Sequence, residues 1–167
     1  MTKRHTRLPR LWLMTDVRMG ERLIPAVKAL PKGAGVIFRH YEMETKARRA
    51  LLCDVERIAR ARRLTLVVAG EGGKHGRFPG AITAPVHSVR ERIEAERAGV
   101  QLLLVSPVFS TSSHLGAKPL GRVRFAMLIR QSKRPVIALG GMNARRARSL
   151  AALGIYGWAG IDAFTKR

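Results

Sequence analysis

Val100–Gly121 reads VQLLLVSPVFSTSSHLGAKPLG: an apolar run that opens into four successive hydroxyl residues, then glycines and one lysine. A run of this length without alternation reads as a strand buried on both faces, the kind found in parallel sheets. A plain connection needs turn residues, and Ser110 to Ser113 are more than a turn requires. The same grammar returns downstream. RPVIALGG (134–141) is an apolar run ending in two glycines, NARRARSLAALG (143–154) has helical spacing with Asn143 as N-cap and Gly154 as stop, and YGWAGIDAF (156–164) is a last strand.

Upstream, strands are expected at 11–16, 35–40, 64–70 and 82–88. Helices are expected at 21–30, with Pro25 in the first turn, over roughly 43–63, at 89–99 with Gly99 as stop, and at 122–133. Buried strands alternating with amphipathic helices give a parallel sheet covered on its faces. The turn after the first strand, TDVRMGERL, is no dinucleotide fingerprint, which argues against an open doubly wound sheet. The richest loops follow the last three strands, where phosphate sites of (β/α)8 barrels lie. The expected fold is therefore a TIM-type barrel forming a single domain over 1–167. Only EGGKHGRFPGAI separates the third strand from the next, too little for a full unit. The barrel is expected to be eroded, with the βα unit between residues 70 and 83 reduced or missing, a short extended piece near GKHGRF in its place, and apolar surface at the gap that a second copy could cover.

Thirty-two Lys and Arg against eleven Asp and Glu give a net charge of +21. Such a field favours anionic ligands. The basic residues interleave with apolar ones at helical spacing, as on solvated helix faces, and no aromatic residues alternate with them along a stripe, so nucleic acid is not the expected partner. No apolar run is long enough to span a membrane, and LWLM is too short for a signal-peptide core. The lone Cys53 is expected as a small core or boundary residue in a reducing cytoplasm.

LWLMTD, VHSVRERIEAERAGVQLLLVSPVFSTSSHLGAKPLG and RPVIALGGMNARRARSLAALGIYGWAG together resemble, in order and over most of the chain, thiamine phosphate synthase and its TenI-type relatives. The resemblance implies a cytoplasmic transferase. It would join an aminopyrimidine methyl diphosphate to hydroxyethylthiazole phosphate through a pyrimidine-stabilised cation, releasing diphosphate with the help of Mg2+. It further implies that the thiazole phosphate sits on Thr111 and Ser113, on Gly140 and Gly141, and on the final turn at Ile161 and Asp162. Hydroxyls and closely approachable backbone amides suit an anion. Arg39 would face the diphosphate and His114 would stand in the sixth loop.

Several positions depart from the family's pattern. Its Gln and Lys around the arginine fall on Ile37 and Tyr41, and its metal-binding Asn-Asp on Ala69 and Gly70. A second metal carboxylate lies in the missing segment. The sixth-loop lysine falls on His114, with Lys118 four residues on, and the final serine falls on Asp162. The tautomerase histidine falls on Pro107, which does not support that activity. Asp16, Glu71, Asp162, Lys74 and His75 are the substitutes within reach of strand ends; His87 is expected to hold a strand end, and Ser88 to cap a helix. The alternative to the synthase is a degenerate member that binds a phosphorylated ligand without the reaction.

Overall fold

The structure is a computed structural model that describes residues 8–111, 116 and 118–165. Among these residues seven strands appear: β1 (Leu11–Met14), β2 (Gly35–Phe38), β3 (Thr65–Val68), β4 (Thr83–Val86), β5 (Leu102–Val105), β6 (Val136–Ala138) and β7 (Gly157–Gly160). Five α-helices connect them: α1 (Leu23–Ala29), α2 (Thr45–Arg62), α3 (Val89–Arg97), α4 (Gly121–Ile129) and α5 (Ala144–Leu150). Every pairing is parallel, in the order β3-β2-β1-β7-β6-β5-β4. Read as a ring this is chain order, the topology of a barrel and not of a doubly wound sheet.

The ring is completed by one residue. His75 bridges in parallel to Ala69 after β3 and to Thr83 at the start of β4. Backbone bonds support the bridge: Lys74 N–H to the Val68 carbonyl (2.8 Å), Gly76 N–H to Thr83 (2.8 Å) and Ile82 N–H to Lys74 (2.8 Å). The short extended piece expected near GKHGRF is thus an eighth strand reduced to a single position. No helix follows it; instead Arg77 reaches α3 through Glu91 (3.3 Å) and Glu94 (3.6 Å) and donates to the Pro85 carbonyl at 3.1 Å. Pro85 suits this place. The Ile82 and Val86 carbonyls accept from the N–H groups of Leu102 and Ser106, in and just after β5, so Pro85 turns its missing N–H towards the shortened side.

Side-chain alternation along each strand builds two apolar layers. Trp12, Met14, Ile37, Val67, Leu102, Leu104, Ile137 and Ala159 lie in one buried cluster, which extends under α1 and α2 through Leu13, Val36 and Phe38. Residues of the other parity, Leu103, Val105, Val136 and Ala138, pack with Phe125, Leu128 and Leu150 of α4 and α5.

The caps agree with their residues. Ser88 and Asn143 have extended backbones and accept from Glu91 N (3.2 Å) and Arg146 N (2.9 Å), and Gly154 ends its helix at φ 77°. Three expectations are corrected. Cys53 is exposed, because α2 buries Val55 and Ala59 and turns Cys53 outward. His87 ties itself to α3 instead of the strand, placing its N–H (2.6 Å) and Nδ1 (2.9 Å) on the Glu91 carboxylate. Residues 17–22 form a 3-10 segment, leaving α1 shorter than the 21–30 expected.

Candidate active site

Because all strands run parallel, the residues after each strand emerge at one end of the barrel. On one side of this mouth, three turns line an open groove of about 270 Å³: Ser110 and Thr111 after β5, Leu139 to Asn143 after β6, and Gly160 to Ala163 at the end of β7. Thr111, Gly140, Gly141, Ile161 and Asp162 are therefore brought together. Ser113 and His114 lie outside the described residues. The loop after β5 is pinned by Val108 N–H to the Leu139 carbonyl (2.9 Å), Phe109 N–H to Gly140 (3.1 Å) and Gly121 N–H to Val108 (3.0 Å).

The double-glycine turn is what lets these loops meet. Gly140 and Gly141 have φ of 93° and 60°, where side-chain-bearing residues are strained. A Cβ on Gly140 would stand 2.7 Å from Pro107 Cα, and one on Gly141 2.3 Å from the Ser110 carbonyl oxygen. Arg146, in the first turn of α5, also lines the groove; its guanidinium donates to the Gly141 carbonyl and lies 4.8 Å from the Phe109 ring centre. In the sequence Arg146 is one arginine among three in NARRAR, although its place three residues after the Asn143 cap puts it beside the glycine turn.

Across the mouth stands Arg39, at the end of β2. Its backbone is held twice: its N–H donates to Thr15 Oγ1 (3.0 Å) and its carbonyl accepts from Arg48 Nε and Nη2 (both 3.2 Å). Arg48 Nη2 also reaches the Ala69 carbonyl at 2.7 Å, fastening β2 to β3. The Arg39 Nη1 contacts Met14 Sδ at 3.1 Å, and the guanidinium lies 6.0 Å from the Tyr41 ring. Thr15 Oγ1 also meets His40 Nδ1 at 2.9 Å, and burial lowers the His40 pKa.

His75 Nδ1 lies 2.8 Å from Thr83 Oγ1. Burial, with the charge of Arg39 adding to it, pushes this imidazole down to about 4. Asp16, after β1, is tied to Arg18 at 2.8 Å. Burial pushes its carboxyl up, but the side-chain and backbone hydrogen bonds from Arg18, and the charges of Arg18 and Arg39, hold it below its ordinary value. Asp162 adds its charge to Asp16 in raising the Arg18 pKa.

Among the described residues the donor set does not fit a resident divalent cation. Mg2+ asks for several oxygen ligands around one point. Among the described residues no group of three His, Cys, Asp or Glu side chains is placed to hold a metal, and Asp16 is engaged by Arg18. No described helix is long and apolar enough to cross a membrane.

The family pattern described as Thiamine monophosphate synthase matches residues 79–164. An Aquifex aeolicus protein named "Putative thiamine-phosphate synthase 2" is 29% identical over 186 aligned residues, covering 94% of this chain and 98% of its own. The thiamine-phosphate synthase of Pyrococcus furiosus is 35% identical over 82 residues, 49% of this chain and 40% of that protein. Among solved structures, a thiamine phosphate pyrophosphorylase from Pyrococcus furiosus superposes with a TM-score of 0.81 at 21% identity, covering 97% of this chain and 90% of that one, a likeness of fold.

Proposed function

We propose, for a chain that belongs to the thiamine monophosphate synthase family, that its barrel mouth joins an aminopyrimidine methyl diphosphate to hydroxyethylthiazole phosphate. The observation that carries this reading is the meeting of three turns, at Thr111, Gly140–Gly141 and Ile161–Asp162, in one groove at the same end of the barrel as Arg39. The Thr111 hydroxyl and the backbone amides of the glycine turn hold the phosphate of the thiazole, charge-assisted bonds being stronger than neutral ones. Arg39 faces the diphosphate and takes up charge as the carbon–oxygen bond breaks. The apolar interior under the mouth, with Trp12, Met14, Ile37 and Leu104 buried, keeps water from the pyrimidine methylene cation until the thiazole nitrogen closes the new carbon–nitrogen bond. The electron pair of the broken bond leaves with diphosphate, and no proton has to move.

Ala69 and Gly70, which stand where the resemblance implies metal-binding side chains, support a second reading, a member that binds a phosphorylated ligand without turnover. One experiment separates the two. Folded protein is mixed with both substrates, with and without Mg2+, and thiamine phosphate is assayed. Product supports the synthase. Its absence, with thiazole phosphate still bound by calorimetry, leaves the binder. Where turnover is seen, Arg39→Ala is expected to slow it by roughly a hundredfold or more, a loss typical of one electrostatic stabiliser. Unchanged turnover would remove Arg39 from the chemistry.

A further inference from the structure

The groove carries both signs of charge. Asp162 lines it, and a carboxylate opposes any phosphate that enters. Among the described lining residues Arg146 is the one cationic side chain and Asp162 the one anionic side chain; the rest are neutral. Its present partners are also neutral. The guanidinium rests on the Gly141 carbonyl and the Phe109 ring, and no ion pair holds it among the described residues. No acidic residue occurs anywhere between Glu96 and Asp162, so the turns after β5 and β6 bring no carboxylate of their own to compete for it. A planar guanidinium presents several N–H groups in a fork, and one engaged by a carbonyl leaves others for a phosphate oxygen.

We infer that Arg146 is the residue by which this groove selects phosphorylated over unphosphorylated ligands, turning its guanidinium from the Gly141 carbonyl onto the phosphate and offsetting Asp162. This rests on reading the groove as the thiazole-phosphate site. Arg146 touches only the phosphate and takes no part in bond making.

The full chain is titrated calorimetrically with hydroxyethylthiazole phosphate and with unphosphorylated hydroxyethylthiazole, at low and moderate salt. Wild type is expected to prefer the phosphate ester. Arg146→Ala is expected to lose roughly tenfold or more of that affinity, the scale of a charged hydrogen bond, with the alcohol bound as before and a weaker salt dependence. Arg146→Lys should recover part, since it keeps the charge but not the fork. If the alanine variant does not fold, Arg146→Gln answers the same question, because its amide can still donate to Gly141 without the charge. A neutral variant that keeps wild-type affinity for the ester, or one that loses both ligands equally, overturns the inference while leaving the phosphate site standing. Wild type that does not distinguish ester from alcohol overturns the site and the inference together.

Discussion

At single residues, the groove depends on places where a side chain is forbidden as much as on those where one is needed. Gly141→Ala adds a Cβ that would lie 2.3 Å from the Ser110 carbonyl and 3.0 Å from Arg146 Nη1, at a φ of 60°. The turn must open to accept it. We expect a stability loss of about 1–3 kcal/mol, the scale of local backbone strain, together with a drop in affinity for the thiazole phosphate. Urea denaturation and calorimetry on the same sample measure both, and an alanine variant with wild-type values for each would show that the close approach is not needed. The glycine pair was legible in ALGGMN because tight approach has a residue signature. Arg146 was not, since nothing in ARRAR tells which arginine faces a groove and which faces solvent. That distinction comes only when α5 is docked with its Asn143 cap against the turn.

At the level of elements, the instructive case is a strand one residue long. Alternating apolar runs and helices made the parallel barrel readable, and the short distance from Gly70 to Thr83 made a reduced unit readable. What the chain did not announce is how the ring closes, because a single bridging residue has no periodicity to detect. Pro85 was a usable signal, an imino acid placed where the neighbouring strand would otherwise ask for an N–H. The bridge also has a pH consequence. His75 is held near 4 in the folded chain, against an ordinary value of 6.5. The folded state therefore stays unprotonated where the unfolded chain takes up a proton, so stability is complete above about pH 6.5 and falls as pH drops towards 4. The loss attributable to this site approaches about 3 kcal/mol at the acid end. Denaturant midpoints at pH 7 and pH 5 are expected to differ more in wild type than in His75→Gln. Equal differences would mean that His75 titrates as an ordinary surface histidine.

For the whole molecule, charge is the dominant unbalanced quantity. Thirty-two basic side chains meet eleven acidic ones, and the ion pairs among the described residues sit mostly on exposed or half-exposed side chains, where each contributes little. Between Glu96 and Asp162 lie α4 and α5 with Arg122, Arg124, Arg130, Lys133, Arg134, Arg145, Arg146 and Arg148 and no carboxylate at all. Packing these helices side by side on the barrel brings like charges closer than in the unfolded chain, so self-repulsion opposes folding. Added salt shortens the reach of that repulsion, from about 30 Å at 0.01 M to about 10 Å at 0.1 M. The thermal midpoint is therefore expected to rise between those two concentrations of sodium chloride. Phosphate at matched ionic strength should raise it further, because an anion bound in the groove stabilises only the folded state. Gly141→Ala should keep the first rise and lose most of the second. A midpoint that stays flat or falls with sodium chloride would mean that local ion pairs, and not the net charge, set the electrostatic balance of the fold.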